Sequence, residues 1–151
     1  MEILSGELYI EEIKELIREY TTSLSRDLTF QNLDEELNDI KAKYTDHDGK
    51  LLAAFEDGKA IGCIALRRFD ENRCEMKRLF VKPEYRGRRA GQALVEEIIK
   101  TARDMGYHSM LLDTVAPLQN AVKLYHMYGF REIAAYYENP MPDAIFMELE
   151  L

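Results

Sequence analysis

The segment Leu79-Phe-Val-Lys-Pro-Glu-Tyr-Arg-Gly-Arg-Arg-Ala-Gly-Gln-Ala-Leu94 decides how this chain is read. Its first residues, Leu79 to Val81, have the apolar character of a strand's end. Pro83 stops that strand by withholding a backbone donor. A glycine-containing loop follows, and near Ala90 a long helix starts, with Leu94, Ile98, Ala102 and Met105 along one face. A strand–loop–helix junction of this kind aims several backbone N–H groups at one place, and the helix dipole adds positive potential there. Gly87 and Gly91 let a ligand approach the backbone, and Arg86, Arg88 and Arg89 surround it. The segment predicts a phosphate cradle made mostly of main chain. It is not a nucleotide P-loop, because no Gly-Lys-Ser/Thr follows, and the spacing of a Rossmann fingerprint is absent.

Working outward, Leu51–Phe55 and Ala60–Leu66 read as strands joined at the hairpin signal Asp57-Gly58. A polar turn at Asp70-Glu71-Asn72 leads into a third strand, Cys74–Val81. Beyond the long helix, Gly106 suits its C-terminal cap. Ser109–Thr114 is a short apolar strand, and Gln119–Tyr128 a second helix with Gly129 at its end. Arg131–Tyr137 and Ala144–Leu151 read as the last two strands. In the latter, Ile145, Met147, Leu149 and Leu151 alternate with Phe146, Glu148 and Glu150. The stretch up to Tyr44 has helical periodicity: Ile13, Leu16, Ile17, Tyr20 and Leu24 form one face, and Leu33, Leu37, Ile40 and Tyr44 another. The order of elements implies an α/β (α+β) domain, a mixed sheet with helices packed on it. The three-strand meander argues against a doubly wound parallel fold.

The 151 residues fit one domain over 1–151, with no repeat or linker to divide it. No run approaches the ~20 apolar residues of a membrane span, and the N-terminus lacks the features of a signal peptide. The formal net charge of −8 argues against nucleic acid as a partner. Yet residues 67–89 hold nine Lys/Arg against four Asp/Glu, a local surplus of five, as expected of a site for an anionic ligand. The aromatic platforms of an RNA-binding surface are not interleaved with those charges. The scattered His47, His108 and His126 and the lone Cys63 and Cys74 give no metal-site spacing, so no metal is expected. The two cysteines read as reduced, buried thiols of a cytoplasmic protein, with a cross-strand disulfide as the alternative.

The quoted segment resembles the signature of the GNAT acetyltransferase superfamily, a strand with Val-x-Pro-x-x-Arg-Gly followed by an Arg/Gln-x-x-Gly-x-Gly/Ala loop entering a helix. Here Arg86-Gly87-Arg88-Arg89-Ala90-Gly91 matches its first and last positions. It departs at Arg89, where the family usually has glycine. That side chain either costs about 1 kcal/mol, if the loop needs positive φ there, or adds a phosphate contact. A second stretch, Asn120-Ala-Val-Lys-Leu-Tyr-His-Met-Tyr-Gly-Phe130, is similar to the family's Asn-x-x-Ala-x-x-Leu-Tyr-x-x-x-Gly-Phe with one spacer moved. The resemblance covers roughly residues 50–151.

The resemblance implies a mostly antiparallel sheet of about six or seven strands with a splayed central pair. It implies acetyl-CoA as cosubstrate in the cleft between Cys74–Val81 and Ser109–Thr114. Main chain at Leu79, Phe80 and Val81 would pair with the pantetheine arm, Arg86, Gly87, Arg88, Arg89, Ala90, Gly91 and Gln92 would hold the pyrophosphate, and Asn120 would reach the CoA chain. Glu75, eleven residues before Arg86, is the candidate base, with an ion pair to a neighbouring Lys or Arg as its other reading. Tyr125 is the candidate acid for the leaving thiolate. Tyr136, Tyr137 and Asn139 would line the acceptor pocket. His126 points off that helix face. The implied activity is acetyl transfer to a primary amine, of a small molecule or a protein. A non-catalytic acetyl-CoA-binding sensor is the alternative, and a homodimer is left open.

Overall fold

The computed structural model describes residues 1–24, 39–44, 48–115 and 118–151. A seven-stranded mixed sheet runs in the order β1-β2-β3-β4-β5-β7-β6. Its strands are β1 (Glu2–Ser5), β2 (Lys50–Glu56), β3 (Lys59–Arg68), β4 (Arg73–Val81), β5 (Ser109–Val115), β6 (Arg131–Ile133) and β7 (Ala144–Glu150). The helices are α1 (Ile10–Leu24), α2 (Ile40–Tyr44), α3 (Ala90–Asp104) and α4 (Gln119–Met127). Only β4 and β5 pair in parallel; the other neighbours are antiparallel.

Two apolar clusters sandwich the sheet. On one face α3 contributes Ala90, Leu94, Val95, Ile98, Ile99 and Ala102, and α4 contributes Tyr125. On the other, α1 contributes Ile13, Leu16 and Ile17, and α2 contributes Ile40 and Tyr44. Of the expected face of α1, Ile13, Leu16 and Ile17 are buried and Tyr20 is partly so; the Leu24 side chain lies outside the described residues. Leu33 and Leu37 lie outside the described residues. Cys63 and Cys74 belong to opposite clusters, and both are buried free thiols.

Two expectations need correction. Glu2–Ser5 forms an edge strand on β2 rather than helix. The strand expected over Arg131–Tyr137 ends at Ile133. Beyond it Tyr136 and Tyr137 do not alternate: both rings pack on Phe146, with centroids at 5.2 and 5.4 Å. Pro140 and Pro142 then withhold two of the donors a ladder would need.

The centre of the sheet is split. β4 pairs with β5 only at Arg73↔Ser109, Cys74↔Met110 and Glu75↔Leu111, while β4 stays paired to β3 as far as Gly62↔Val81. The cause is a bulge. Between Cys63↔Phe80 and Ala65↔Lys77, β3 advances two residues and β4 three. Arg78, at φ 62°, takes up the extra residue. A bulge bends its strand and increases its twist, and here the bent half of β4 leaves β5. Its main-chain groups on that side have no strand partner.

Candidate functional site

The loop after β4 brings unpaired main-chain donors and three arginines to the start of α3. Lys82 N–H donates to Ile61 at 2.8 Å, closing the sheet, and a 3-10 turn over Pro83–Tyr85 follows. Gly87 has φ 84°, and Arg89 caps α3 with φ 64° and ψ 17°. The positive φ at Arg89 is the strained outcome anticipated for an arginine at that position. No side chain caps α3. The N–H groups of Ala90, Gly91 and Gln92, which lack intrahelical acceptors, are left for a ligand at the positive end of the dipole.

The three loop arginines differ. Arg86 Nε donates to the Val81 carbonyl at 3.1 Å, and its guanidinium lies over the Phe80 ring. Arg88 pairs with Glu56 at 3.1 Å and lies over Tyr85. Arg89 is exposed, with no ion pair or hydrogen bond from its side chain among the described residues. The side chains of Leu79 and Val81 pack toward the α3 face, whereas Phe80 is buried toward α1, against Tyr20 at 5.9 Å. Packing of α3 does not itself require Gly91: a Cβ there would make only ordinary contacts, 3.7 Å from Leu124 and 3.9 Å from Val81. Asn120 is an exposed first-turn residue of α4; the N-cap is Leu118.

Tyr125, 6% exposed, enters from the α3–α4 face, its ring 5.7 Å from Phe130. Burial pushes its phenol pKa up, and Tyr20 and Asp113 push it further. The hydroxyl has no hydrogen-bond partner among the described residues. No sealed side-chain oxygen or nitrogen there is left unsatisfied, so this hydroxyl reaches accessible space. Tyr20 and Asp113 belong to the opposite face of the sheet. His126 is exposed, as expected.

Glu75 is 1% exposed and sits at the closed end of the split. Arg67 Nε donates to its Oε1 at 2.8 Å and Tyr136 donates to its Oε2 at 2.6 Å; Lys77 Nζ is 4.0 Å from Oε1. Burial alone would raise its pKa, but Lys77, Tyr136 and Arg67 together hold the carboxyl below the usual glutamate range. The ion-pair alternative is thus what the structure displays. The strands part toward Val81, and Glu75 lies where the gap begins.

Beside it lies a second carboxylate that sequence reasoning missed. Asp113 Oδ2 accepts from the Tyr137 hydroxyl at 2.5 Å and from Asn139 Nδ2 at 3.2 Å. The ring of Tyr137 is 5.4 Å from that of Tyr136, so both carboxylates share one aromatic wall. Tyr136, Tyr137 and Asn139 are therefore brought together at the split. Asp113 had one visible signal, as the lone charge in Ser109–Val115. Lys77 and Arg67 were counted in the basic island and, unnamed, as the neighbouring Lys or Arg of the ion-pair alternative.

The comparisons with known proteins agree with this geometry. Residues 10–130 match the sequence profile of the Acetyltransferase (GNAT) family. An uncharacterized N-acetyltransferase of Schizosaccharomyces pombe is 44% identical over 144 residues, covering 94% of this chain and 88% of its own. The IAA acetyltransferase of Azospirillum brasilense is 31% identical over 133 residues, 80% of this chain and 87% of its own. An acetyltransferase structure from Streptococcus agalactiae superposes with a TM-score of 0.82 at 26% identity, covering 99% of this chain and 98% of that one. The PaiA N-acetyltransferase of Thermoplasma acidophilum, solved in complex with coenzyme A, has a TM-score of 0.73 at 25% identity over 100% of both chains.

Proposed function

The chain belongs to the GNAT acetyltransferase family, and on that premise we propose that it acetylates a primary amine by direct attack of the amine on the thioester carbon of acetyl-CoA. Acyl transfer from acetyl-CoA is the family's reaction; the amine and the direct attack are our reading. One observation carries it: the Tyr125 hydroxyl, without a protein partner among the described residues, belongs to the α3 side of the split sheet, while the Glu75–Tyr136 and Asp113–Tyr137 pairs line its other side. A proton donor from one face and a polar, carboxylate-bearing wall from the other meet where the strands part.

In this reading the donor enters from the α3 face. Main chain of residues 79–81, without a strand partner on the β5 side among the described residues, aligns the pantetheine amides as an added strand beside the Val81 carbonyl that Arg86 holds. The N–H groups at 87–92 and the Arg89 side chain take the pyrophosphate. Asn120, exposed on the first turn of α4, borders the CoA chain. The amine approaches from the α1 face, past Tyr136, Tyr137 and Asn139. Its nitrogen forms the new C–N bond as the C–S bond breaks. The amine's proton passes to the Tyr136–Glu75 pair, Tyr136 giving its own proton to Oε2 as it accepts the amine's. Tyr125, kept neutral by its raised pKa, protonates the departing thiolate.

The test is a panel of amino acids, polyamines, aromatic amines and peptides, scored by thiol release and by mass spectrometry of the N-acetyl product. We expect at least one class of primary amine to be acetylated in step with thiol release. Transfer only to hydroxyl or thiol acceptors would overturn the reading.

A further inference from the structure

We propose that the acceptor amine also carries a carboxylate, and that the two are held by Asp113 and Lys77 on opposite sides of the split. This rests on the amine reading above and adds the chemical class of the substrate.

The placement follows from register. Glu75↔Leu111 is the last pair between β4 and β5. Two residues on lie Lys77 and Asp113. Side chains alternate along a strand, so both share the face of Glu75 and Leu111, opposite Cys74, Met76, Met110 and Leu112 in the α3-side cluster. They flank the beginning of the gap, one on each strand.

Each is under-satisfied. Lys77's side chain is 11% exposed, yet its ammonium has no hydrogen bond among the described residues and lies 4.0 Å from Glu75. Its ion pair with Glu75 is long, and hydrogen bonds from Arg67 and Tyr136 already occupy both oxygens of that carboxylate. Arg67 and Lys77 thus place two cations beside one carboxylate. Across the gap, Tyr137 and Asn139 both address Oδ2 of Asp113; among the described residues Oδ1 receives no donor, and no cation pairs with the group. Lys77 and Asp113 feel each other's charge without forming an ion pair.

Facing opposite charges held apart, each short of partners in a half-buried slot, form the complement of a zwitterion. Charge-assisted hydrogen bonds are the strong ones where water is scarce. A ligand's ammonium suits Asp113 and its carboxylate suits Lys77. The reacting nitrogen then sits on the β5 side of the split and the carboxylate on the β4 side. A simple amine or polyamine would leave Lys77 with only the long contact to Glu75, an anion it shares with Arg67.

The experiment compares kcat/KM for amino acids with that of the matching decarboxylated amines, by thiol release. We expect the carboxylate to be favoured by about tenfold or more. Lys77→Met should bring that ratio toward one, and Lys77→Arg should retain most of it, with acetyl-CoA titration confirming that each variant is folded. A wild-type ratio near one, or a ratio that Lys77→Met leaves unchanged, overturns the inference while leaving amine acetylation standing. A wild-type protein that acetylates no amine of any kind overturns both.

Discussion

The Tyr136 hydroxyl donates to Oε2 of Glu75 at 2.6 Å, joining the segment after β6 to the strand where the sheet splits. With Arg67 on Oε1, the bond ties three separate parts of the chain to one buried carboxylate. This arrangement makes Glu75 a structural anchor in addition to its proposed part in moving the amine's proton.

Glu75 should make folding pH-dependent in a defined direction. Its folded pKa lies below the ordinary value of 4.5, despite burial, because of Lys77, Tyr136 and Arg67. Its stabilisation is therefore present above pH 4.5 and lost as pH falls through the folded value. Glu75→Gln should cost about 1–3 kcal/mol at neutral pH and much less in acid. That is below the cost for a fully sealed pair, since Arg67 keeps 34% of its side chain exposed. Denaturant titrations of both proteins at pH 7 and pH 3 measure it; an equal gap at the two pH values would contradict the assignment.

Turnover separates the two partners of that bond. Glu75→Gln and Tyr136→Phe should both slow acetyl transfer, by about 10²–10⁴-fold, and both should be partly rescued at high pH, where solution supplies neutral amine. Tyr136→Phe should do so at a stability cost of about 1 kcal/mol, because the Arg67–Glu75 pair survives. A pH–rate profile unchanged from wild type in either variant would remove that residue from proton transfer.

Tyr125→Phe should slow turnover by about 10²–10⁴-fold at every pH while leaving acetyl-CoA affinity and stability close to wild type. The hydroxyl has no protein partner among the described residues, so removing it breaks no described contact. Steady-state kinetics with calorimetric titration of acetyl-CoA check both halves. Rescue of the rate by raising pH would contradict the acid role.

Arg89→Gly should pull in two directions. Glycine accepts φ 64° without a Cβ penalty, so the free protein should gain roughly 0.5–1 kcal/mol. Losing a cation beside the cradle should weaken acetyl-CoA binding about threefold to tenfold, with a smaller dependence on salt. Thermal unfolding without ligand and titrations at two ionic strengths measure the two effects. Tighter binding by the variant would mean the arginine only occupies space.

How much of this was legible depended on the range of the interaction. Leu94, Ile98 and Ala102 announced α3 by local periodicity, and all three are buried. Met147 and Leu149 did the same for β7. The loop was legible because a positive-φ glycine and a following helix start are adjacent in sequence. The edge strand at Glu2–Ser5 was not, since Ile3 and Leu4 are both half-buried and show no alternation. Neither was the bulge at Arg78, because arginine gives no sign of positive φ. The Glu75–Tyr136 bond spans 61 positions and Asp113–Tyr137 spans 24. Only the folded sheet brings such groups together, so Glu75, Tyr136 and Tyr137 could each be singled out while the Tyr136–Glu75 bond and Asp113 could not.

The central claim is that the loop and the split strands hold acetyl-CoA for transfer to an amine. The most direct measurement incubates acetyl-CoA and an accepted amine with wild type and with Gly87→Asp, quantifying free CoA and N-acetyl product together. Gly87 has φ 84°, and a Cβ there would meet nothing within 4 Å, so the variant should fold and differ chiefly by a carboxylate set against phosphate. The account predicts equal amounts of CoA and acetylated amine from wild type, and a fall in both for Gly87→Asp at limiting acetyl-CoA. CoA released without acetylated amine, or a folded Gly87→Asp protein with wild-type yield and affinity, would contradict it.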